Sequence, residues 1–333
     1  MQGVSVVICC YNSALRLPET LRHLSKQIVS SSIRWEVLIV NNNSTDSTAS
    51  VAQAEWKSYK LAIPLRIVDE TKPGLSAARE KGIGEALYDY LLFCDDDNWL
   101  AEDYVNNVYG LLAGNATLAA VGGNNTGAYE VTPPAWMNFF GNSYAIGKQG
   151  NGEFEILEGT RYLVGAGMAF KREAYQAIKQ KGFGFYLTDR IGNKVVGGGD
   201  VELCFIFKLA GYSIAYSANL NLQHYMPAGR ITEAYLVKMW HQYSYSWLVF
   251  EAYKLLLTGS KIAVDEAYWK KVARQRLLEK APFLLRYIKS KVKGDLIFYL
   301  PYEVELMYNV YLLRNTDKLM ELINELRSKV GYE

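Results

Sequence analysis

The sequence predicts an α/β fold in which a mostly parallel sheet is flanked by helices and followed by a C-terminal helical appendage. Three observations predict it. Short β-branched runs alternate with helical segments over the first hundred residues, the pattern of βαβ units. Polar clusters at 11–13, 41–46 and 95–98 each follow such a run. Beyond Pro227 the apolar residues take up helical spacing.

Residues 4–9 form a continuous apolar run that reads as a buried strand. Pro18 suits the first turn of the next helix, where its missing N–H loses no partner. Residues 35–40 are a second strand, closed by Asn41-Asn42-Asn43-Ser44-Thr45-Asp46, a run of turn and cap residues that starts a helix near Thr45. A third run at 65–68 precedes Gly74 and a helix through Ala77, Ala78, Ile83 and Leu87. The fourth, 90–94, stops at Asp95-Asp96-Asp97, with a helix starting near Ala101. From 115 to 163, Gly122-Gly123, Pro133-Pro134 and further glycines break the pattern, which predicts a long irregular segment of the kind that usually serves function. A short helix follows Arg172, and Gly197-Gly198-Gly199-Asp200 opens another through Val201, Cys204, Phe207 and Leu209. A strand at 214–216 leads to Leu222-Gln223-His224-Tyr225. The α/β domain is therefore expected over 1–227 and the helical region over 228–333, clearest at 232–258, 303–313 and 317–329.

In open parallel sheets ligands bind outside the carboxyl ends of the strands, so the three polar clusters should gather on one rim. Composition narrows the function classes. The chain is 50% apolar and 21% charged with a net charge of +2, an ordinary globular balance without a global attraction to nucleic acid or acidic membranes. Its four cysteines lie in apolar runs without a CxxC pair, which reads as buried thiols in a reducing cytoplasm. The N-terminus lacks a basic signal-peptide region, and no apolar run reaches membrane-spanning length. A cytoplasmic protein is expected.

The candidate chemistry starts at Asp95-Asp96-Asp97-Asn98. Three adjacent carboxylates at a strand end resist joint ionisation unless a cation is present, and oxygen-rich clusters suit Mg2+ or Mn2+. The competing reading is a solvated turn capping the next helix. Asp200, after three glycines, is either an N-cap or a general base kept ionised by the helix start. His224 ends a strand-like stretch, a placement that suits a metal or phosphate contact, while His23 reads as surface and His241 as structural. Arg79, early in its helix, can clamp phosphate through two N–H groups or simply face solvent.

Taken together these residues resemble the family-2 glycosyltransferases of the GT-A fold. The resemblance covers roughly 4–226 and rests on an ordered set. It runs from Tyr11-Asn12 after the first strand through Asn42-Asn43-Ser44-Thr45-Asp46 to Pro73-Gly74-Leu75-Ser76-Ala77-Ala78-Arg79. Asp95-Asp96-Asp97, Gly165-Ala166-Gly167-Met168-Ala169-Phe170 and Gly199-Asp200-Val201-Glu202 complete it. The resemblance implies an inverting transferase that takes a sugar from a nucleotide diphosphate donor, a UDP-sugar by default, to a glycan or lipid-linked acceptor. It implies donor contacts from Tyr11, Asn12, Asn42, Arg79, Asp95 and Asp96. A divalent ion, Mn2+ or Mg2+, is implied on Asp97 and His224, with Asp200 as the base. The acceptor side is expected at Gly165 and Glu202 and, in the irregular segment, at Trp136. Where the family carries Glu-Asp, this chain has Gly199-Asp200, so the base keeps its place without its usual neighbour.

The helical region lies outside the resemblance. Its basic stretch, from Lys270 through Arg286 to Lys293, is either a solvated helix face or a surface that touches anionic lipid and presents a lipid-linked acceptor. A third reading is a homodimer through the aromatic helix 232–258. A sugar-1-phosphate nucleotidyltransferase should carry a Gly-rich loop where this chain has Tyr11-Asn12-Ser13, and a dinucleotide oxidoreductase needs a GxGxxG that is absent. A non-catalytic sugar-nucleotide-binding protein on the same fold stands as the alternative.

Overall fold

The structure, a computed structural model, describes residues 1–189, 197–259 and 264–331. The first half alternates as the sequence predicts: β1 (Val4–Cys10), α1 (Leu17–Leu24), β2 (Trp35–Asn42), α2 (Thr48–Ser58), β3 (Leu65–Glu70), α3 (Leu75–Glu85) and β4 (Tyr90–Phe93). β1 lies between β2 and β4 and pairs in parallel with both, placing Val7 opposite Leu38 on one side and Phe93 on the other. Val7, Leu38 and Phe93 are almost completely buried, which is why these strands read as predominantly apolar runs. Pro18 stands in the first turn of α1. Gly82 lets α3 lie close on the sheet, because a Cβ there would stand 2.4 Å from Val7 Cγ1.

The chain continues through β5 (Asn98–Leu100), α4 (Tyr104–Ala113), β6 (Leu118–Tyr129), α5 (Met137–Phe140), β7 (Gly147–Lys148), β8 (Phe154–Ile156) and β9 (Ala169–Lys171). α6 (Arg172–Gln180), α7 (Gly199–Leu209) and β10 (Ser213–Met226) follow. The sheet order is β3-β2-β1-β4-β9-β6-β10-β5, with β7 on β6 and β8 on β10. β9 is antiparallel to both β4 and β6, so β6 and β10 run in the same direction as the first four strands. The sheet is thus parallel in its long strands and antiparallel at its short ones.

Two elements differ from the sequence reading. The segment expected to be irregular from 115 begins with the twelve-residue strand β6. Its glycines mark close packing instead of a loop, since a Cβ on Gly123 would fall 1.8 Å from the Leu220 carbonyl oxygen of β10. After the aspartates the chain makes β5, with Trp99 paired to Gln223 of β10, and α4 starts only at Tyr104.

The C-terminal helices are α8 (Glu233–Tyr243), α9 (Trp247–Leu257), α10 (Glu266–Lys280), α11 (Leu284–Lys293), α12 (Leu296–Arg314) and α13 (Thr316–Val330). Leu248, Ala252 and Tyr253 of α9, with Leu319 and Ile323 of α13, join one core with Phe205 and Phe207 of α7. Burial of that apolar surface, at about 25 cal/mol per Å2, ties the helices to the sheet domain. The aromatic stripe of 232–258 packs inside the molecule: Trp247 meets Tyr308 edge-on and Phe250 meets Phe205. Among the described residues no helix is long and apolar enough to cross a membrane.

Candidate active site

The carboxyl ends of β1, β2 and β4, the end of β10 and the start of α7 converge on a cavity of about 510 Å3. Its wall includes Tyr11, Asn42, Arg79, Asp95, Asp96, Asp97, Gly165, Asp200 and His224. The rim predicted from the polar clusters is therefore a single site, and residues far apart in sequence meet there for the reason given by strand direction.

Each sequence-predicted residue has a definite place. Tyr11 is 55% exposed at the mouth. Asn12, with a left-handed φ of 50°, turns its side chain back so that Oδ1 accepts the Thr45 N–H at 2.8 Å, joining the loops after β1 and β2. The Asn42 amide donates to the carbonyls of Glu70 and Lys72, at 3.0 and 2.7 Å, while its Oδ1 accepts the Gly74 N–H at 2.9 Å. Asn42 thus braces the loop into α3 and offers the cavity only the remaining lone pair of Oδ1.

The acidic run divides three ways. Asp95 faces the cavity, and its backbone N–H is held by Asn98 Oδ1 at 3.0 Å. Asp96 accepts from Arg16 Nη2 at 2.6 Å, and burial, then the charge of Asp97, push its carboxyl above the usual range. Asp97 is 3% exposed, with Oδ1 3.3 Å from His224 Nε2 and Oδ2 2.9 Å from Arg230 Nη1. Burial acts to raise its pKa, but His224 and Arg230 outweigh it and hold the carboxyl well below the carboxylate range.

Asp97 and His224 suit a divalent cation. Adjacent ligands of an octahedral ion bound at about 2.1 Å stand about 3 Å apart, close to the separation seen here. His224 is buried, and its Nδ1 has no hydrogen-bond partner among the described residues. No third His, Cys, Asp or Glu joins them among the described residues, so water and substrate phosphate would complete the shell, as magnesium-type sites commonly do. Arg16, Arg79 and Arg230 add three cations around the same cavity.

At the far wall Asp200 Oδ2 accepts the Gly165 N–H at 2.6 Å and Oδ1 accepts the Val201 N–H at 2.9 Å. These bonds fix the carboxylate at the start of α7. Burial and the nearby Asp189 raise its pKa. Gly165 is a close approach: a Cβ there would meet Arg79 Nη2 at 2.8 Å and Asp200 Oδ2 at 3.3 Å.

Two residues expected on the acceptor side lie elsewhere. Glu202 is fully buried one turn into α7, accepting from the backbone N–H groups of Tyr186 and Leu187 and from the Tyr253 hydroxyl. It braces a loop and a helix and is not on the cavity wall. Its place follows from helical spacing, since residues 200 and 202 point to different sides of a helix. Trp136 packs behind the wall against Tyr144, which does line the cavity. Sequence reasoning missed Arg16, Asp189 and Arg230. Arg230 sits on the short turn Ala228–Arg230 just past β10, and only the return of β10 beside β5 brings it to Asp97.

The family profile of glycosyl transferase family 2 matches residues 5–179, just over half of the chain and every strand that builds the donor half of the rim. The chain belongs to glycosyl transferase family 2. The cholesterol galactosyltransferase of Borreliella burgdorferi is 30% identical over 107 residues, 32% of this chain and 28% of that protein. The succinoglycan biosynthesis protein ExoM of Rhizobium meliloti is 26% identical over 237 residues, 71% of each chain. The chain thus spans less than a third of the length of the first curated relatives it matches.

Two solved structures share the fold. A mannosyltransferase from Pyrobaculum calidifontis, in complex with GDP-Man and Mn2+, has a TM-score of 0.55 at 20% identity, covering 95% of this chain and 86% of that one. S. aureus TarS 1–349 in complex with UDP-GlcNAc has a TM-score of 0.56 at 15% identity, covering 98% and 92%. The GT-A fold expected from the resemblance is the fold of this family-2 chain.

Proposed function

We propose that this chain is an inverting glycosyltransferase that takes a sugar from a nucleoside diphosphate donor to an acceptor hydroxyl. One observation carries the reading: the Asp97–His224 pair and the Asp200 carboxylate face the same cavity. The base would sit toward Tyr11 and the Asn42 Oδ1, with the ribose at Asp95 and Asp96. Arg79, Arg16 and Arg230, all on the cavity wall, would bind the diphosphate. Asp97 and His224 would hold Mn2+ or Mg2+, which when bound supplies Lewis-acid neutralisation of the leaving diphosphate. Asp200 takes the proton of the acceptor O–H as that oxygen bonds to the anomeric carbon. The bond from that carbon to the diphosphate breaks, the nucleoside diphosphate leaves, and the single displacement inverts the configuration. The relatives in complex with GDP-Man and UDP-GlcNAc support a nucleotide-sugar donor without choosing its base, and UDP is the first to try.

Thermal stabilisation by UDP, GDP and TDP, each with and without Mn2+, tests the reading. A ligand that binds only the folded state raises Tm by mass action. Metal-dependent stabilisation by one diphosphate, lost in Asp97→Ala, is expected. No shift with any of them would count against nucleotide-sugar binding at this cavity and overturn the reading.

A lipid-linked acceptor is favoured by α11. Leu285 and Val292 are 74% and 84% exposed, and Leu284 and Ile288 extend the same face. Lys289 and Lys291 border it, Lys291 paired with Glu303 of α12, Arg286 and Lys293 lie on the other side of the helix, and no acidic residue falls between 280 and 294. An apolar stripe edged by cations fits the surface of an anionic bilayer, and its charge opposes pairing with a second copy. The protein should float with phosphatidylglycerol vesicles and not with phosphatidylcholine alone. Flotation unaffected by Leu285→Glu/Val292→Glu would refute a membrane role for this face.

A further inference from the structure

The residue before Asp200 is Gly199, and the space its side chain would occupy is already filled. A Cβ on Gly199 would lie 2.7 Å from Asp189 Oδ2 and 3.0 Å from both Cγ and Oδ1. Backbone strain is not the obstacle. In this glycine run the left-handed φ, 114°, belongs to Gly198, and Gly199 is outside that region. What excludes a side chain at 199 is the Asp189 carboxylate.

That carboxylate is held from two sides, and the Asp189 backbone from a third. Oδ1 accepts the Gly199 N–H at 3.0 Å, Oδ2 accepts from Arg79 Nη1 at 2.9 Å, and Ser76 Oγ accepts the Asp189 N–H at 3.0 Å. Its side chain is 8% exposed, a burial that a charged carboxylate tolerates only with such partners. Arg79 also lies near Asp200 without pairing with it: its Nη2 and Asp200 Oδ2 both border the space a side chain on Gly165 would enter, and its guanidinium stacks over the Phe93 ring at 5.0 Å. Arg79 therefore stands between two carboxylates, and the one that binds it directly is Asp189.

We propose that Asp189 is a positioning residue for sugar transfer: it places, from the loop before α7, the carboxylate that position 199 lacks, and by anchoring Arg79 it keeps that guanidinium from pairing with the Asp200 base. This inference deepens the proposed function and rests on Asp200 being the base. The groups that face Asp200 are Arg79 from α3, Asp189 from its loop, Tyr162 beside Gly165, and Cys204 on α7. Of these, Asp189 acts to raise the Asp200 pKa and Arg79 to lower it. Without the Asp189 charge the repulsion ends and Arg79 is free to close on Asp200, so both changes make the base ionise more readily and act more weakly.

The test uses slow donor hydrolysis, with water as acceptor and UDP or GDP release from UDP-glucose, UDP-N-acetylglucosamine or GDP-mannose as the readout. Asp189→Asn retains an acceptor for the Gly199 N–H and removes both the charge and the oxygen that holds Arg79. Its kcat should fall at least tenfold, with the acid limb of the kcat–pH profile moved to lower pH. A merely structural role would lower kcat without moving the limb. A second arm moves the carboxylate: Asp189→Ala/Gly199→Glu should recover at least tenfold over Asp189→Ala, whereas Gly199→Glu alone collides with Asp189 and should melt lower. An unmoved limb in a folded Asp189→Asn protein, or a double variant no faster than Asp189→Ala, overturns the inference. Full hydrolysis in Asp200→Asn would instead overturn the assignment of the base.

Discussion

Glu202 gives the most quantitative prediction. Burial, partly offset by its hydrogen bonds to Tyr186, Leu187 and Tyr253, pushes its carboxyl up to about 7 from an ordinary 4.5. A raised folded-state pKa means that the native protein holds a proton which the unfolded chain releases between those values. The resulting stability is fully present below pH 4.5 and is lost as pH rises through 7. At 1.36 kcal/mol per unit, the shift corresponds to about 3 kcal/mol between acid and alkaline limits. Glu202→Gln removes the titration and keeps one carbonyl oxygen, but its NH2 group turns toward a donor, which costs about 1–3 kcal/mol relative to the protonated wild-type carboxyl. The variant should therefore be less stable than wild type at pH 5 and comparable at pH 8. Urea denaturation at the two pH values measures this through Cm at constant m. Wild-type stability that does not fall relative to Glu202→Gln between pH 5 and 8 would refute the reasoning. Because Glu202 is off the cavity wall, donor hydrolysis per folded molecule should be unchanged; a large loss would return it to the site.

Other perturbations read the site and the core separately. Asp200→Asn should leave diphosphate-induced stabilisation intact and lower turnover about 100- to 10,000-fold, the usual contribution of a general base, measured as nucleoside diphosphate release. Gly165→Ala drives a methyl against Arg79 Nη2 and Asp200 Oδ2, so turnover should drop at least tenfold with Tm nearly unchanged. Gly82→Ala forces α3 off Val7 and should cost about 1–3 kcal/mol in urea denaturation, with hydrolysis per folded molecule retained.

The sequence by itself determined the strands that place the rim. Residues 4–9, 35–40 and 90–94 are apolar but for the buried, hydrogen-bonded pair Ser5 and Glu36, because each strand is covered on both faces, and periodicity then leaves little choice of element. It also determined that the clusters at 11–13, 41–46 and 95–98 share a rim, because a parallel sheet carries its strand ends to one side, while Arg79, Asp200 and His224 joined them only through the family resemblance. Glycine was the ambiguous signal. Gly122-Gly123 reads as a loop, yet Gly123 is where β10 approaches and Gly122 makes room for Leu163 and Gln149, and a sequence does not state whether a missing Cβ serves a turn or a close approach. What only the tertiary structure decided are the partners of these groups. Arg230 meets Asp97 across 133 residues and Arg79 meets Asp189 across 110, and pairing at such separation depends on how β10 and α7 return to the sheet, not on any local pattern. Asn42 and Glu202 carry polar side chains suited to substrate, and the fold turns both inward because the backbone groups of neighbouring loops needed partners once buried.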